Sequence, residues 1–269
     1  MGLFYAIPAS VLLLAALLVS ILGALSAQRA IHRRFDSSAF VAHNEVGGII
    51  VVVVASLYAT LLGFMTVVAW EHYQESREIV VVEADACIDA WHTAVGLPEP
   101  VRQRVRQDMT TYAGIMLSRE WAAMKNGRSD PSAAMISMDA MNAVGSFTPK
   151  GWGDGNAQNA TMQQLSIMHD ARQRRISSNE GGLAGFEWLV LLVGASSIIA
   201  FCWLFGGNKP AIQMIMTATV VMMLVSTLVL LFELQYPFRS GIGIDATAWV
   251  KALRHIDEMR KGSMAGMRN

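Results

Sequence analysis

The sequence predicts an all-α, polytopic membrane protein with four transmembrane helices and a helical soluble domain inserted between spans two and three. Three observations predict it. Hydrophobic residues make up 53% of the 269 residues and charged residues only 16%, below the roughly one quarter that is usual for a soluble domain. Four apolar runs each approach the roughly 20 residues that cross the hydrocarbon core of a bilayer. The polar stretch between the second and third runs repeats its apolar residues at helical spacing.

The first run covers residues 4–26. Leu25-Ser26-Ala27 resembles a signal-peptidase site, so a cleaved signal peptide is the alternative. The N-terminus, however, carries no Lys or Arg, and the run is longer than the apolar core of a typical signal peptide, about 7–15 residues. We therefore expect a retained first span, followed by a short polar link that bears Arg29, Arg33 and Arg34.

The second run starts after His43-Asn44-Glu45 and extends from Ile49 to Trp70 without a charged residue. The sequence continues past Trp70 through Glu71-His72-Tyr73 without a proline or glycine break, which predicts that the same helix continues out of the membrane as a stalk. Small residues recur every four positions at Ala55, Ala59 and Gly63. Such a stripe lets helix backbones approach closely in lipid, so it favours packing against a neighbouring span or subunit over a pore-lining role.

Residues 71–187 form the predicted soluble domain. Pro98-Glu99-Pro100 ends the stalk and starts the next helix, with a proline and an acid in its first turn. Ser129-Asp130-Pro131 starts another helix in the same way. The glycines of residues 150–156 predict a loop, and residues 161–178 return to helix.

The third span covers about residues 183–205 and the fourth about 211–234, joined by a tight hairpin at 206–210. A mixed-charge tail over 245–260 is predicted to be an amphipathic surface helix. The chain thus divides into spans one and two (1–70), the soluble domain (71–187), spans three and four (188–235) and the tail (236–269).

Four spans place both termini and the soluble domain on one side of the membrane. Positive residues near span ends set orientation. One side shows Arg29, Arg33, Arg34 and Lys209, while the other shows Arg77, Arg172, Arg174, Arg175 and Arg239. We expect the domain and tail to be cytoplasmic, in the inner membrane of a bacterium, although the first span taken alone favours the reverse.

Several function classes are disfavoured. Glu45, Glu187 and Glu233 lie at span ends and no acid lies at mid-depth, which counts against a proton-coupled carrier but less against a channel. Asp89-x-x-His92 is at most half of a di-iron motif, so we expect no enzyme, metal or cofactor. Zero net charge gives no case for nucleic-acid binding.

Aromatic residues cluster near the span ends, as expected of an interfacial belt. In the soluble domain, Glu120-Trp121 is interpreted as a buried aromatic anchor beside a solvated acid.

Together, a set of residues in order resembles a family of uncharacterised bacterial membrane proteins called bestrophin-like, over nearly the whole chain: Asn44, Gly63-Phe64, Trp70-Glu71, Glu83-Ala84, Tyr112, Glu120-Trp121, Arg172 with Arg175, Trp188 and Pro237-Phe238. The sequence departs from the family where Gln235 replaces an Asp two residues before Pro-Phe. The family's glycine two residues after Pro-Phe is found one position later here, as Gly241. The third span begins with Gly185-Phe186-Glu187 and lacks the proline that the family usually has at its entry.

The resemblance implies kinship with bestrophins, which are oligomeric anion channels with a four-span subunit and a helical cytosolic domain. Our leading hypothesis is a homo-oligomeric ion channel in a lipid bilayer, with an inorganic ion as its cargo and spans two and four facing the axis. The candidate pore or mouth residues are Asn44, Glu45, Trp70, Glu71, Glu233, Pro237 and Phe238. The alternative is a non-conducting scaffold whose helical domain binds a partner protein.

Overall fold

The computed structural model describes residues 8–35, 37–206 and 209–266, and over these ranges the chain is helical without a strand. Four of its helices are long and apolar enough to cross a membrane. These are α1 (Ala9–Arg34), α2 (Ser37–Thr93), α7 (Gly185–Leu204) and α8 (Pro210–Leu234). The predicted fold class, with four spans and helices between the second and the third, is confirmed.

The chain divides into two compact units. The span unit holds α1, the start of α2 through Tyr73, α7, α8 and residues 240–242. The soluble unit comprises Gln74–Gly181, Tyr236–Arg239 and the chain from Gly243 onward. Its helices after α2 are α3 (Val101–Ile115), α4 (Trp121–Lys125), α5 (Pro131–Gly145), α6 (Trp152–Glu180) and α9 (Thr247–Gly266).

α1 is longer than predicted. The expected polar link with Arg29, Arg33 and Arg34 is wrong, because the helix continues through these residues to Arg34. Arginine is a good helix former, and its long aliphatic stem lets the charged group reach the membrane surface. The helix ends where the backbone of Phe35 becomes extended.

Three helices form the core of the span unit. Tyr58 and Leu62 of α2 pack with Leu191 and Ala195 of α7 and Leu231 of α8. The Tyr58 hydroxyl donates to the Leu191 carbonyl at 3.0 Å. A Cβ at Gly194 would overlap the Tyr58 ring, so the missing side chain of Gly194 allows this close approach.

In the soluble unit, the predicted stalk is confirmed, since α2 continues without a break to Thr93. The expected helix start at Pro98-Glu99-Pro100 is displaced: Pro100 is the N-cap and the helix begins at Val101. The predicted start at Ser129-Asp130-Pro131 is confirmed. There the Asp130 carboxylate accepts a hydrogen bond from the Ser132 N–H at 2.8 Å, as an N-cap residue does.

The predicted loop over 150–156 is wrong, because α6 begins at Trp152 and includes Gly153 and Gly155. The Asp154 carboxylate accepts from the Lys150 N–H at 3.2 Å, which anchors the start of the helix. Ala157 further along packs against the core. Tertiary packing therefore outweighs the low helix propensity of glycine.

The tail helix α9 contributes to the core of the soluble unit. Trp249, Ala252 and Ile256, at intervals of three and four residues, are completely buried, and the rings of Trp249 and Tyr112 lie 5.5 Å apart. The predicted amphipathic helix is confirmed, and its apolar face packs on protein.

Candidate pore and mouth residues

One face of α2 is apolar and exposed along the span. Leu57 is 70% exposed and Phe64 is 68% exposed. With Val46, Val53 and Val68, which are exposed as well, they recur at intervals of seven and four residues and so share one helix face. The buried Tyr58 and Leu62 occupy the opposite side. The span unit thus leaves an apolar stripe of α2 uncovered.

The small-residue stripe of α2 is also uncovered. Ala59 and Gly63 are exposed and Ala55 is half-buried, and a Cβ at Gly63 would meet nothing within 4 Å. Ala55 packs against the core of the span unit, whereas Ala59 and Gly63 do not belong to that core among the described residues, so a neighbour outside the chain can approach these two.

Asn44 lies near the start of α2 and holds the end of the α7–α8 connection. Its Nδ2 donates to the Gly206 carbonyl at 2.7 Å, and its Oδ1 accepts from the Gly206 N–H at 3.0 Å. The nitrogen and the oxygen of the Asn44 side-chain amide thus both bind the backbone of Gly206, which fixes the start of the α7–α8 connection against α2. Glu45 follows with its side chain exposed.

Trp70 and Glu71 lie where α2 leaves the apolar run. Trp70 is half exposed. Its ring stacks on that of Tyr73, with the ring centroids 6.0 Å apart and an angle of 19° between the ring planes. The Tyr73 hydroxyl donates to the Ile242 carbonyl at 2.9 Å. Glu71 is exposed, so this end of the span presents a carboxylate next to an anchored aromatic pair.

Glu233, at the end of α8, is only 3% exposed. Its Oε2 accepts from the backbone N–H groups of Gly241 at 2.8 Å and Ile242 at 3.3 Å. Its Oε1 is buried and has no hydrogen-bond partner among the described residues. The carboxylate therefore joins the end of α8 to the segment that follows.

Gln235, which stands where the family has an Asp, is accommodated within the span unit. Its Oε1 accepts from the Trp188 indole N–H at 3.0 Å. Trp188 is one of the residues on which the family resemblance rests, and Gln235 is a position at which the sequence departs from it. A neutral amide oxygen serves this contact without burying a further charge.

Pro237 and Phe238 lie in the soluble unit. The Pro237 carbonyl accepts from the Ile244 N–H at 2.7 Å, and Phe238, which is 2% exposed, packs edge-on against Trp121 at 5.9 Å. The structure thus brings Asn44, Glu45, Trp70, Glu71 and Glu233 into one unit and these two residues into the core of the other.

A buried charge cluster was missed by the sequence reasoning. We call Glu83, Glu120, Arg172 and Arg175 the buried quartet, since each is at most 4% exposed. The interpretation of Glu120 as a solvated acid is wrong: it is completely buried. All four residues belong to the set on which the family resemblance rests, and that was the available signal.

The buried quartet is held together by mutual contacts, and of its side-chain nitrogen and oxygen atoms only Arg172 Nε is buried without a hydrogen-bond partner among the described residues. Arg175 lies 3.1 Å from Glu83 and 3.3 Å from Glu120 through its Nη2. Arg172 reaches Glu120 at 3.2 Å and also donates to the Asp130 carbonyl at 3.1 Å. Two positive and two negative charges balance, so the cluster is neutral.

The π-helical turn Met116–Glu120 places Glu120 at the junction with α4. Its Oε2 accepts from the Asp130 N–H at 2.6 Å. The extra residue in such a turn rotates the following side chains relative to a regular α-helix. Glu120 thereby faces the arginines of α6.

Electrostatics in this core follow from burial. Burial raises the pKa of the Tyr112 phenol, and the adjacent Glu83 carboxylate, which accepts its hydrogen bond at 2.5 Å, raises it further. Burial alone would lower the pKa of Arg175, but the attraction of Glu83 outweighs it and raises that pKa. The tyrosine stays neutral and the guanidinium stays charged. No group of three or more His, Cys, Asp or Glu side chains in the described ranges could hold a metal ion.

A family model for the Bestrophin-like domain matches residues 14–249. No curated protein sequence matches the chain. The chain is similar in structure to three single-substitution variants of a bacterial bestrophin homologue from Klebsiella pneumoniae, which carry a leucine-to-threonine, an isoleucine-to-threonine and a tyrosine-to-alanine change.

These similarities extend over nearly the whole chain. The identities are 15%, 13% and 13%, and the TM-scores are 0.65, 0.64 and 0.65. The matches cover 92%, 91% and 92% of this chain and 98% of each of the others. At these identities the structural likeness establishes the fold, and the family model establishes the kinship: the chain belongs to the Bestrophin-like family.

Proposed function

We propose that the chain is one subunit of a homo-oligomeric ion channel in which the exposed apolar face of α2 lines the axis. This face carries the proposal. A spanning helix that keeps Leu57 and Phe64 uncovered within its own chain supplies an apolar constriction when several copies surround one axis. Channels can gate by the wetting and dewetting of such a constriction.

The exposed small residue Gly63 supports self-association. Because lipid tails are as apolar as leucine, helices associate in a bilayer through close packing, which small residues permit. Kinship with bestrophins, whose subunits assemble into anion channels, points in the same direction. We therefore infer a homo-oligomer rather than a single four-span subunit.

The mouths of the proposed pore are assigned by position along α2. Asn44 and Glu45 stand at one end, and Trp70 and Glu71 at the other. Exposed carboxylates at both ends set the local potential that an inorganic ion meets on entering or leaving. Glu233 with Pro237 and Phe238 fixes the backbone after α8, which would support the second mouth without lining it.

We place the protein in the inner membrane of a bacterium, with the soluble unit and both termini on the cytoplasmic side. The larger number of arginines near the span ends on that side supports this orientation. The proposed partners are the lipid bilayer, further copies of the chain and an inorganic ion, and the mechanism requires no cofactor.

The test is conduction by the purified full chain in planar bilayers. The unmodified protein should pass an anion or cation current, and Phe64→Ala should raise it by widening the constriction. Leu14→Ala is the matched control, because Leu14 is a large exposed side chain on α1. Current that is absent over a broad pH range from a stable oligomer would refute the proposal, as would equal effects of both substitutions.

A scaffold function is favoured by a different observation, the exposed apolar surface of the soluble unit. Trp152 is 92% exposed, and Met135 and Met138 of α5 are exposed as well. Methionine-rich surfaces adapt to partner proteins. A scaffold predicts that the full chain captures one specific protein and that Trp152→Ala abolishes this capture, whereas a channel predicts unchanged current in Trp152→Ala.

A further inference from the structure

A large apolar groove runs along the span unit between α2, α7 and α8. Its volume is about 990 Å³, at the upper end of the roughly 300–1,000 Å³ typical of ligand pockets. Aliphatic and small side chains form its walls, among them Val52, Ala55 and Ala59 of α2 with Met216 and Val220 of α8. Ala55 and Ala59 of the small-residue stripe therefore form part of one wall of this groove.

The groove has one polar end. Asn44, Gly206, Lys209 and Gln213 line it there, and Lys209 is the only charged side chain among the described residues of the lining. Lys209 is exposed and precedes the first residue of α8. The polar end thus lies at the end of the spans, where lipid headgroups meet water, whereas the apolar length follows the spans inward.

The end of α1 adds positive charge at the same place. The Gln213 amide nitrogen lies 3.4 Å from His32 Nε2, which lies 2.9 Å from the Trp203 carbonyl. In one tautomer His32 Nε2 accepts from Gln213, and in the other it donates to Trp203. Arg29 and Arg33 are exposed neighbours of His32 on this helix. Two arginines of α1 therefore lie within one helical turn of a residue that contacts the polar end, while Lys209 is the charged residue that lines it.

We propose that this groove binds an anionic phospholipid, with an acyl chain along the small-residue stripe and the phosphate at Lys209. The occupant follows from the combination of chemistries. An acyl chain matches the apolar walls, and basic pockets between spanning helices bind anionic headgroups. A spanning helix from a second copy matches the walls but leaves Lys209 without an anion. The proposal requires only that the spans lie in a bilayer, and it does not depend on conduction.

The test is native mass spectrometry of the full chain, delipidated in detergent and titrated with phosphatidylglycerol or, separately, with zwitterionic phosphatidylcholine. Phosphatidylglycerol should bind roughly fivefold more tightly than phosphatidylcholine, the effect of about one lysine at a membrane surface. Lys209→Gln should remove this preference. Lys150→Gln, an exposed lysine of the soluble unit, should leave it unchanged.

A second pair of variants tests the apolar length. Ala59→Phe fills the groove and should weaken the binding of both lipids, whereas Ala15→Phe, on an exposed position of α1, should weaken neither. Circular dichroism verifies the helical content of each variant, and Ala55→Leu replaces Ala59→Phe if the latter does not fold.

Three results would overturn the proposal. The first is equal binding of the two lipids by the unmodified chain. The second is a preference for phosphatidylglycerol that survives Lys209→Gln. The third is an Ala59→Phe variant that binds both lipids normally but loses its oligomeric state, because a second copy would then be the occupant. A loss of current without a change in lipid binding would refute the proposed channel and leave this site standing.

Discussion

Among the described residues, the soluble unit buries five charged side chains at 4% exposure or less, namely the buried quartet and Asp108, whereas the span unit leaves large aliphatic side chains uncovered along α2. The soluble unit therefore buries charged groups, and the span unit exposes apolar groups. Both arrangements would be unexpected if the whole chain were surrounded by water. The difference shows that solvent decides burial differently for each unit. A bilayer covers aliphatic groups at no cost, while water requires the soluble unit to pair any charge that it buries.

The two units also treat their buried carboxylates differently. In the span unit, Glu233 lies in the last turn of α8 and accepts hydrogen bonds from two backbone N–H groups that follow within nine residues. In the soluble unit, Glu83 and Glu120 depend on arginines of α6, which lie far away in the sequence. A change in the arginines should therefore be more damaging than any single change at the lipid-facing surface.

The largest effect is expected for Arg175→Met. It leaves Glu83 and Glu120 buried with less compensating charge, and removing one partner of a buried ion pair costs about 3–5 kcal/mol. Thermal unfolding of the full chain in detergent, followed by near-ultraviolet circular dichroism, measures the loss. Arg260→Met is the control, because Arg260 pairs with Asp257 at 3.3 Å and both side chains are exposed, and it should change the midpoint little.

The double variant Glu83→Leu with Arg175→Leu sharpens this prediction. Since it removes both charges of one pair together, it should recover most of the stability lost by Arg175→Met. If the double variant is as unstable as the single one, the buried charge is not the cause. Equal effects of Arg175→Met and Arg260→Met would contradict the comparison of the two units itself.

A smaller effect is expected in the span unit for Gly194→Ala. The new methyl group would overlap the ring of Tyr58, and overpacking a well-filled core costs about 1–3 kcal/mol. The matched control is Gly23→Ala on the exposed side of α1, which adds the same methyl group where nothing lies within 4 Å. Thermal unfolding should distinguish the two variants. A normal midpoint for Gly194→Ala would mean that α2 and α7 pack less closely than described.

The smallest effect is expected at the start of α9. Asp245 accepts from the Thr247 N–H at 2.9 Å, and loss of such a cap in Asp245→Ala costs about 1 kcal/mol. Asp245→Asn keeps the acceptor and is the control. Equal destabilisation by both substitutions would assign the effect to charge rather than to capping.

The same residue predicts a dependence on pH. Hydrogen bonds from Thr247 lower the pKa of Asp245 in the folded protein. A depressed carboxyl pKa contributes stability above the unfolded-state pKa, and this contribution is lost as the pH falls through the lower, folded-state value. The stability difference between unmodified protein and Asp245→Ala should therefore shrink on acidification below the ordinary aspartate range. A constant difference would contradict the assignment.

The sequence was sufficient for the spans because their signal is local. About 20 apolar residues in a row have few alternatives to crossing a bilayer, and α2, α7 and α8 follow from composition alone. The Asp130 cap is local too, since it needs only the next two residues. Prediction failed at α1 and α6, where arginines and glycines were interpreted as chain breaks. Helix continuation at those places depends on what the following turns contact.

The candidate site was less predictable for a physical reason. Whether Glu120 meets water depends on Arg172 and Arg175, which follow more than 50 positions later, and on a π-helical turn that no local pattern indicates. Likewise the partner of Gln235 is Trp188 on another helix. Distant pairing of this kind becomes visible only when the tertiary structure is known.

The neutrality of the buried quartet has a practical consequence for electrophysiology. Counterions screen exposed charges within about 10 Å at 0.1 M salt, whereas buried pairs are screened much less. Raising ionic strength should consequently leave the fold of the soluble unit intact. If the protein forms the proposed channel, a dependence of its conductance on salt concentration would report on exposed carboxylates such as Glu45 and Glu71 rather than on unfolding of that unit.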